Sequence, residues 1–157
     1  MKNISIIIAA TIAAFSFNAS AEKLSIKGYM PGTQMSVCPE NSVSNPGKVM
    51  LLCSLGPTSY AGAEASDHTV VIYNNEIIGV MVKLKERGRY ANSGVLAALK
   101  EKFGNPTESK SHLNEHKWQQ GSVALSFDGY SGLVLLADIE KNRAARDSSA
   151  KANKNDL

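Results

Sequence analysis

A five-residue segment near the middle of the chain has the spacing of a known zinc-binding motif. His112, Glu115 and His116 spell H-x-x-E-H, the inverted form of the zinc-protease signature. The chemistry needs both histidines on one helix face, the glutamate as general base and a third protein ligand. On a strand the histidines would lie about 13 Å apart, too far to share an ion. Residues 107–120 fit either a strand or a helix, and only the helix would bring the two histidines together. We predict no metal site and keep a small zinc hydrolase as an alternative.

Other catalytic patterns are missing from the sequence. It contains no Gly-x-Ser-x-Gly motif, which would place a serine nucleophile on a sharp turn. Asp128 and Asp138 flank the last predicted hairpin, where we expect a turn residue and a strand-end residue rather than an acid/base pair. We therefore predict a protein that is not an enzyme, with no catalytic residue and no cofactor.

The two cysteines, Cys38 and Cys53, form an even pair in a short chain. Such a pair in an oxidising compartment predicts a disulfide, whereas redox enzymes more often use Cys-x-x-Cys. A bridge over a loop of this length contributes about 3 kcal/mol to stability. We expect it to hold a polar loop that has little apolar periodicity of its own.

The N-terminus has the features of an export signal. Lys2 precedes an apolar run over residues 4–17, and Ala19-Ser20-Ala21 ends the run with a small-x-small cleavage pattern. Residues 1–21 are therefore predicted to be a signal peptide cleaved after Ala21. No later run reaches the roughly 20 apolar residues that a membrane span needs. The expected location is the periplasm or the medium.

The formal net charge of +3 is concentrated in the last residues. Residues 141–157 are rich in Ala, Ser, Asn and Lys and have no Val, Ile or aromatic side chain. Such a segment buries little apolar area, so we predict a disordered basic tail or a frayed helical extension. Residues 22–140 are predicted to form a single domain. Nucleic acid is not an expected partner in this compartment.

Four basic residues recur at every second position, at Lys83, Lys85, Arg87 and Arg89. On an extended strand alternate side chains share a face, so the row would present four positive charges together. It would suit phosphate, an anionic glycolipid or an acidic protein. The alternative is a charged edge that prevents aggregation between strands.

Tyr130 is the best candidate for an aromatic anchor of a binding surface. It lies in the turn Asp-Gly-Tyr-Ser-Gly, where a side chain at the tip has little core to fill. Aromatic side chains of this kind carry much of the energy of protein interfaces.

Two hairpins are predicted from alternation and turn residues. Residues 69–73 and 77–84 are β-branched and apolar, and Asn74-Asn75 between them tolerates the left-handed turn conformation. In the second strand one face is apolar, and Met81 lies on the opposite, wet face with the lysines. Residues 122–128 and 133–139 form the other hairpin, and the last strand is apolar enough to be central.

One helix is predicted over residues 92–103. Val95, Leu99 and Phe103 fall on one helical face, and Gly104 provides a stop signal. These elements predict an α+β fold: an antiparallel sheet of about four to five strands with one main helix packed on one face.

The order of several short motifs resembles a loose group of small exported bacterial proteins. These motifs are Tyr60-Ala61-Gly62 before a hairpin, then Leu96-x-x-Leu99-x-x-Lys102-Phe103-Gly104-Asn105-Pro106-Thr107, then Trp118 and Gly121. The layout also resembles the repeats of the β-lactamase inhibitor protein and of small outer-membrane assembly lipoproteins. The resemblance implies an α+β fold and non-catalytic binding, and it transfers no functional residue.

The sequence therefore predicts a non-catalytic periplasmic protein that acts by protein binding or inhibition. The expected partner is another envelope protein. An alternative is a binder of an anionic envelope component, such as a glycolipid, through the basic strand and the tail.

Overall fold

The structure, a computed structural model, describes residues 22–47, 49–88 and 90–154. The predicted signal peptide, Arg89 of the basic row and residues 155–157 of the tail lie outside the described residues. Within the described ranges the chain forms one antiparallel sheet of nine strands with two helices. The predicted sheet of four to five strands with one main helix is therefore wrong, and the fold is dominated by its sheet.

The elements have the following bounds in chain order. The strands are β1 (Val43–Pro46), β2 (Leu51–Ser54), β3 (Thr58–Tyr60), β4 (Ala63–Tyr73), β5 (Glu76–Leu84), β6 (Glu108–Lys110), β7 (Glu115–Gln120), β8 (Val123–Asp128) and β9 (Leu133–Asp138). The helices are α1 (Ser93–Phe103) and α2 (Ile139–Lys154), and a 3₁₀ turn covers Ser111–Leu113.

The strands are ordered β1-β2-β4-β5-β9-β8-β7-β6, and β3 pairs with β4. Both predicted hairpins are confirmed, as β4–β5 and β8–β9. Asn74 and Asn75 have φ angles of 52° and 60°, the left-handed values that a two-residue hairpin turn requires. The apolar strand β9 lies between β5 and β8, so its predicted central position is also confirmed.

The strand count was underestimated because several strands are short and polar. Every residue of β1 and of β6 is exposed, and β1 contains Pro46. Such segments show no alternation of apolar and polar residues, and they form because a neighbouring strand offers unpaired backbone groups. β1 and β6 are the edges of the sheet, where short polar strands are common.

The core lies on one side of the sheet, which we call the inner face. Val70, Val80 and Leu136 are fully buried there, and α1 contributes Val95 and Leu99 to the same core. The predicted disulfide between Cys38 and Cys53 is confirmed, with an S–S distance of 2.04 Å. A disulfide is consistent with an oxidising compartment.

The second helix, α2, occupies residues that the sequence analysis placed mainly in the tail. Asp138 caps its N-terminus, because its carboxylate accepts a hydrogen bond from the Lys141 N–H at 3.0 Å. Asn142 donates to the Ile78 carbonyl at 2.7 Å, and Ala145 is fully buried. A polar helix is therefore attached to the sheet by a few hydrogen bonds and one buried alanine. Neither described helix is long and apolar enough to cross a membrane.

Candidate functional site

The outer face of the sheet, opposite α1, carries two rows of side chains across five strands. Strand register fixes both rows, since alternate residues point to the same face. The first row is Val43, Ser54, Thr69, Met81 and Leu135. The second row is Asn45, Leu52, Val71, Gly79 and Ala137. Most of these side chains are aliphatic or small, so the register assembles an apolar strip from residues that are far apart in the sequence.

This strip is the floor of a groove of about 820 Å³, which we call the outer groove. α2 forms one wall of it, with Ile139, Asn142, Arg143, Arg146 and Asp147. The described residues leave its aliphatic side chains partly open to solvent. Val43 is 72% exposed, and Leu52 and Leu135 are each 37% exposed. An open concave surface with an aliphatic floor and a few polar groups at its border has the character of a ligand site.

Gly79 allows α2 to lie close to the sheet. A Cβ atom at this position would come within 3.3 Å of the Leu136 carbonyl oxygen and 3.7 Å of Asn142 Nδ2. Asn142 Nδ2 donates to the carbonyl groups of Ile78 and Asp138. A side chain larger than that of alanine at this position would therefore reach Asn142 on the helix that forms the wall of the groove.

The wall formed by α2 carries net positive charge. Arg143 and Arg146 line the groove together with Asp147. Neither arginine forms an ion pair with a carboxylate in the part of the chain that the structure describes. The two guanidinium groups therefore remain able to bind an anion, which a planar five-donor group does with good geometry.

The opposite border of the groove is polar and closer to charge balance. Ser54 and Thr69 donate hydrogen bonds to the Asp67 carboxylate at 2.7 and 2.8 Å. Burial would raise the pKa of Asp67, but these hydrogen bonds, together with those from the backbone N–H groups of His68 and Gly56, outweigh it and lower the pKa. Asp67 is therefore ionised at neutral pH. Its neighbour across the β4–β5 pair is Lys83.

The basic row predicted from the sequence does not continue along one strand. β5 ends at Leu84, so only Lys83 lies on it. Lys85 forms an ion pair with Glu64 at 2.8 Å, and the resulting hydrogen bond and charge attraction lower the pKa of Glu64. Arg87 lies in the loop that follows, and Arg89 is outside the described residues. The structure therefore does not bring the described members of the row together on one strand.

Tyr130 lies at the tip of the β8–β9 turn, and its side chain is 68% exposed. Asp128 holds this turn by accepting hydrogen bonds from the backbone N–H groups of Tyr130 and Ser131 at 2.9 and 3.1 Å. Gly88 N–H also contacts the Tyr130 carbonyl oxygen at 3.2 Å. The ring is therefore presented to solvent from a turn with a defined backbone.

The H-x-x-E-H segment is split between two elements. His112 lies in the 3₁₀ turn, whereas His116 lies in β7 and is only 7% exposed. His116 Nδ1 is hydrogen-bonded to Ser109 Oγ at 2.8 Å, and burial, together with the charge of Lys100, lowers its pKa. Among the described residues, no group of three or more His, Cys, Asp or Glu is placed to hold a metal ion.

Asp128 and Asp138 occupy structural positions. Asp128 closes the β8–β9 turn, and Asp138 caps α2 and accepts a hydrogen bond from Ser122 Oγ at 3.1 Å. The two carboxylates lie at opposite ends of the β8–β9 hairpin, since Asp128 pairs with Leu133 and Asp138 with Val123. This placement agrees with their interpretation as turn and end residues.

No family model, curated protein or solved structure matches this chain. The resemblance drawn from short motifs therefore gains no support. The outer groove was not predicted from the sequence. Its one signal was Met81, an apolar residue on the face of β5 that was interpreted as wet.

Proposed function

We propose that this protein is a non-catalytic exported binding protein that holds the apolar chain of a small ligand in its outer groove. The observation that carries this proposal is the aliphatic strip across five strands, which the described chain leaves open. Covering such a surface removes apolar area from water, at about 25 cal/mol per Å².

The lining of the groove favours a small aliphatic ligand over a protein partner. No aromatic residue lines it within the described ranges, whereas tyrosine and tryptophan are typical of the centres of protein interfaces. Its volume of about 820 Å³ lies within the range of roughly 300–1,000 Å³ that small-molecule sites occupy. An aliphatic floor suits an acyl chain.

Export supports the same function. The predicted signal peptide and the disulfide fit a protein of the periplasm or the medium. The proposal needs no chemical step, in agreement with the expectation of a protein that is not an enzyme.

A calorimetric titration with lauroylglycerol, a neutral acyl ligand, tests the proposal below its critical micelle concentration. We expect one ligand per chain and weaker binding by the groove variant Leu135→Gln. The matched control is Leu113→Gln, since Leu113 is 41% exposed and lies outside the groove. Absence of binding, or equal loss in both variants, would reject the proposal. The proposal would also be rejected if the unchanged protein forms a stable dimer and Leu135→Gln disrupts that dimer.

Protein contact at the Tyr130 turn is a second candidate function. Tyr130 and Tyr90 are 68% and 85% exposed, and the loop before Tyr90 contacts the Tyr130 turn through Gly88. A photo-crosslinking residue placed at position 130 should join the protein to one envelope protein in cells. The same residue at position 113 should give no such product, and equal products at both positions would reject this candidate.

A further inference from the structure

The two long sides of the outer groove differ in charge. On the α2 side, Arg143 and Arg146 outweigh Asp147, which leaves one net positive charge. On the other side, next to the lining residues Ser54 and Thr69, Asp67 and Lys83 lie opposite each other on paired strands and carry opposite charges. An elongated ligand would therefore meet apolar surface along its length and uncompensated positive charge along one side.

From this asymmetry we infer that the ligand is a single-chain fatty carboxylate whose acid group binds Arg143 and Arg146. The inference rests on the proposed function and adds the chemistry of the head group. Guanidinium and carboxylate groups match in geometry, since two parallel N–H donors can face two oxygens. Described residues supply no competing carboxylate ion pair for either arginine.

A carboxylate fits the charge balance of the α2 side better than a phosphate monoester does. One net positive charge is neutralised by a monoanion, whereas a phosphate monoester carries nearly two negative charges at neutral pH. The site therefore favours a carboxylate.

The dimensions agree with an extended acyl chain. Five neighbouring strands, from β1 to β9, form the floor of the groove. Four strand spacings of about 4.8 Å give a length of about 19 Å. α2 crosses the same strands, since Asn142 contacts β5 and Ser148 contacts Tyr73 of β4. The arginines therefore lie beside the middle strands of the groove, and a carboxylate bound there would direct its chain along the strip toward one end.

Comparing ligands that share one chain and differ in head group tests this inference. Dodecanoate, dodecyl phosphate, lauroylglycerol and dodecyltrimethylammonium would each be titrated into the full mature chain by calorimetry. We expect dodecanoate to bind at least tenfold more tightly than the neutral ligand, and the cation to bind most weakly. Raising the salt concentration should reduce the preference for dodecanoate.

Two double variants, each of which removes two positive charges, distinguish the effect of charge at the groove from the effect of the protein's overall charge. Arg143→Gln/Arg146→Gln should reduce dodecanoate binding to the level of lauroylglycerol and leave lauroylglycerol binding unchanged. Lys100→Gln/Lys151→Gln removes two exposed charges that do not line the groove and should change neither affinity.

Each contrary result identifies the claim that fails. Equal binding of all four ligands would overturn the carboxylate inference and leave the proposed function standing. Tighter binding of dodecyl phosphate would replace the carboxylate by a phosphate lipid. If no ligand binds, the proposed function fails together with the inference.

Discussion

Replacing the three exposed aliphatic side chains of the outer groove should abolish most of its affinity for an acyl ligand. In the variant Val43→Ser/Leu52→Ser/Leu135→Ser, the side chains removed are 72%, 37% and 37% exposed. Their exposed area together equals about one and a half fully exposed side chains, each worth about 1.5–3 kcal/mol when buried. A ligand that covers them gains about 2–4 kcal/mol, so its Kd should rise by about 30- to 900-fold.

Calorimetric titration with dodecanoate measures this loss directly. The control variant Val37→Ser/Leu113→Ser removes aliphatic side chains that are 71% and 41% exposed outside the groove. It should bind dodecanoate as the unchanged protein does. Urea unfolding of both variants confirms that they are folded at the temperature of the titration. A loss below threefold, or an equal loss in the control, would refute the reasoning.

Four further predictions concern the fold beneath the groove. Leu136→Ala, a change on the inner face, should lower the free energy of unfolding by about 2–5 kcal/mol, measured by urea denaturation. Gly79→Val should displace α2, lower stability by about 1–3 kcal/mol and weaken dodecanoate binding. Cys38→Ser/Cys53→Ser should cost about 3 kcal/mol and also weaken binding, since the closed loop carries β1 and β2. Stability should decrease as the pH falls below 6.5, measured as a lower urea midpoint at pH 5 than at pH 7.5. His68→Leu should reduce the difference between these two midpoints.

The pH dependence arises from the buried position of His68. Its Nε2 atom has no hydrogen-bond partner among the described residues, and its ring lies 5.5 Å from that of Tyr29. Burial lowers its pKa below 6.5, the charge of Lys27 lowers it further, and Asp67 partly opposes both effects. The unfolded chain therefore takes up a proton near pH 6.5, whereas the native chain does so only at lower pH. Acidification across this interval favours unfolding, and a flat profile would contradict this account.

Two further residues, His116 and Gly94, provide comparisons for these predictions. His116, whose pKa burial also lowers, should preserve part of the pH dependence in the His68→Leu variant. Gly94→Ala, at an open helical position, is a control for Gly79→Val, because a Cβ there meets nothing within 4 Å. If Gly79→Val binds one dodecanoate per chain with unchanged affinity, α2 does not shape the groove.

Elements with local signals were predictable from the sequence. The β4–β5 hairpin follows from β-branched residues on both sides of Asn74-Asn75, and α1 from the spacing of Val95, Leu99 and Phe103. The disulfide follows from the number of cysteines and the expected compartment. The hairpin and the helix are each specified by a few neighbouring residues, whereas the disulfide needs only the count of cysteines.

Elements that depend on distant partners were not predictable in this way. The polar segment of α2 was expected to be disordered or frayed, yet Asn142 binds the Ile78 carbonyl and Ala145 is buried. Both contacts require a sheet surface made of strands that are distant in sequence. The outer groove needs the register of five strands, so Met81 alone could not reveal it.

Methyl NMR spectra recorded during a titration with dodecanoate test the central claim most directly. The account predicts shifts for Leu52, Met81 and Leu135, whose side chains line the outer groove. Val70 and Leu136, which are fully buried on the inner face, should move little. An unchanged spectrum, or shifts that spare the outer groove, would contradict the account.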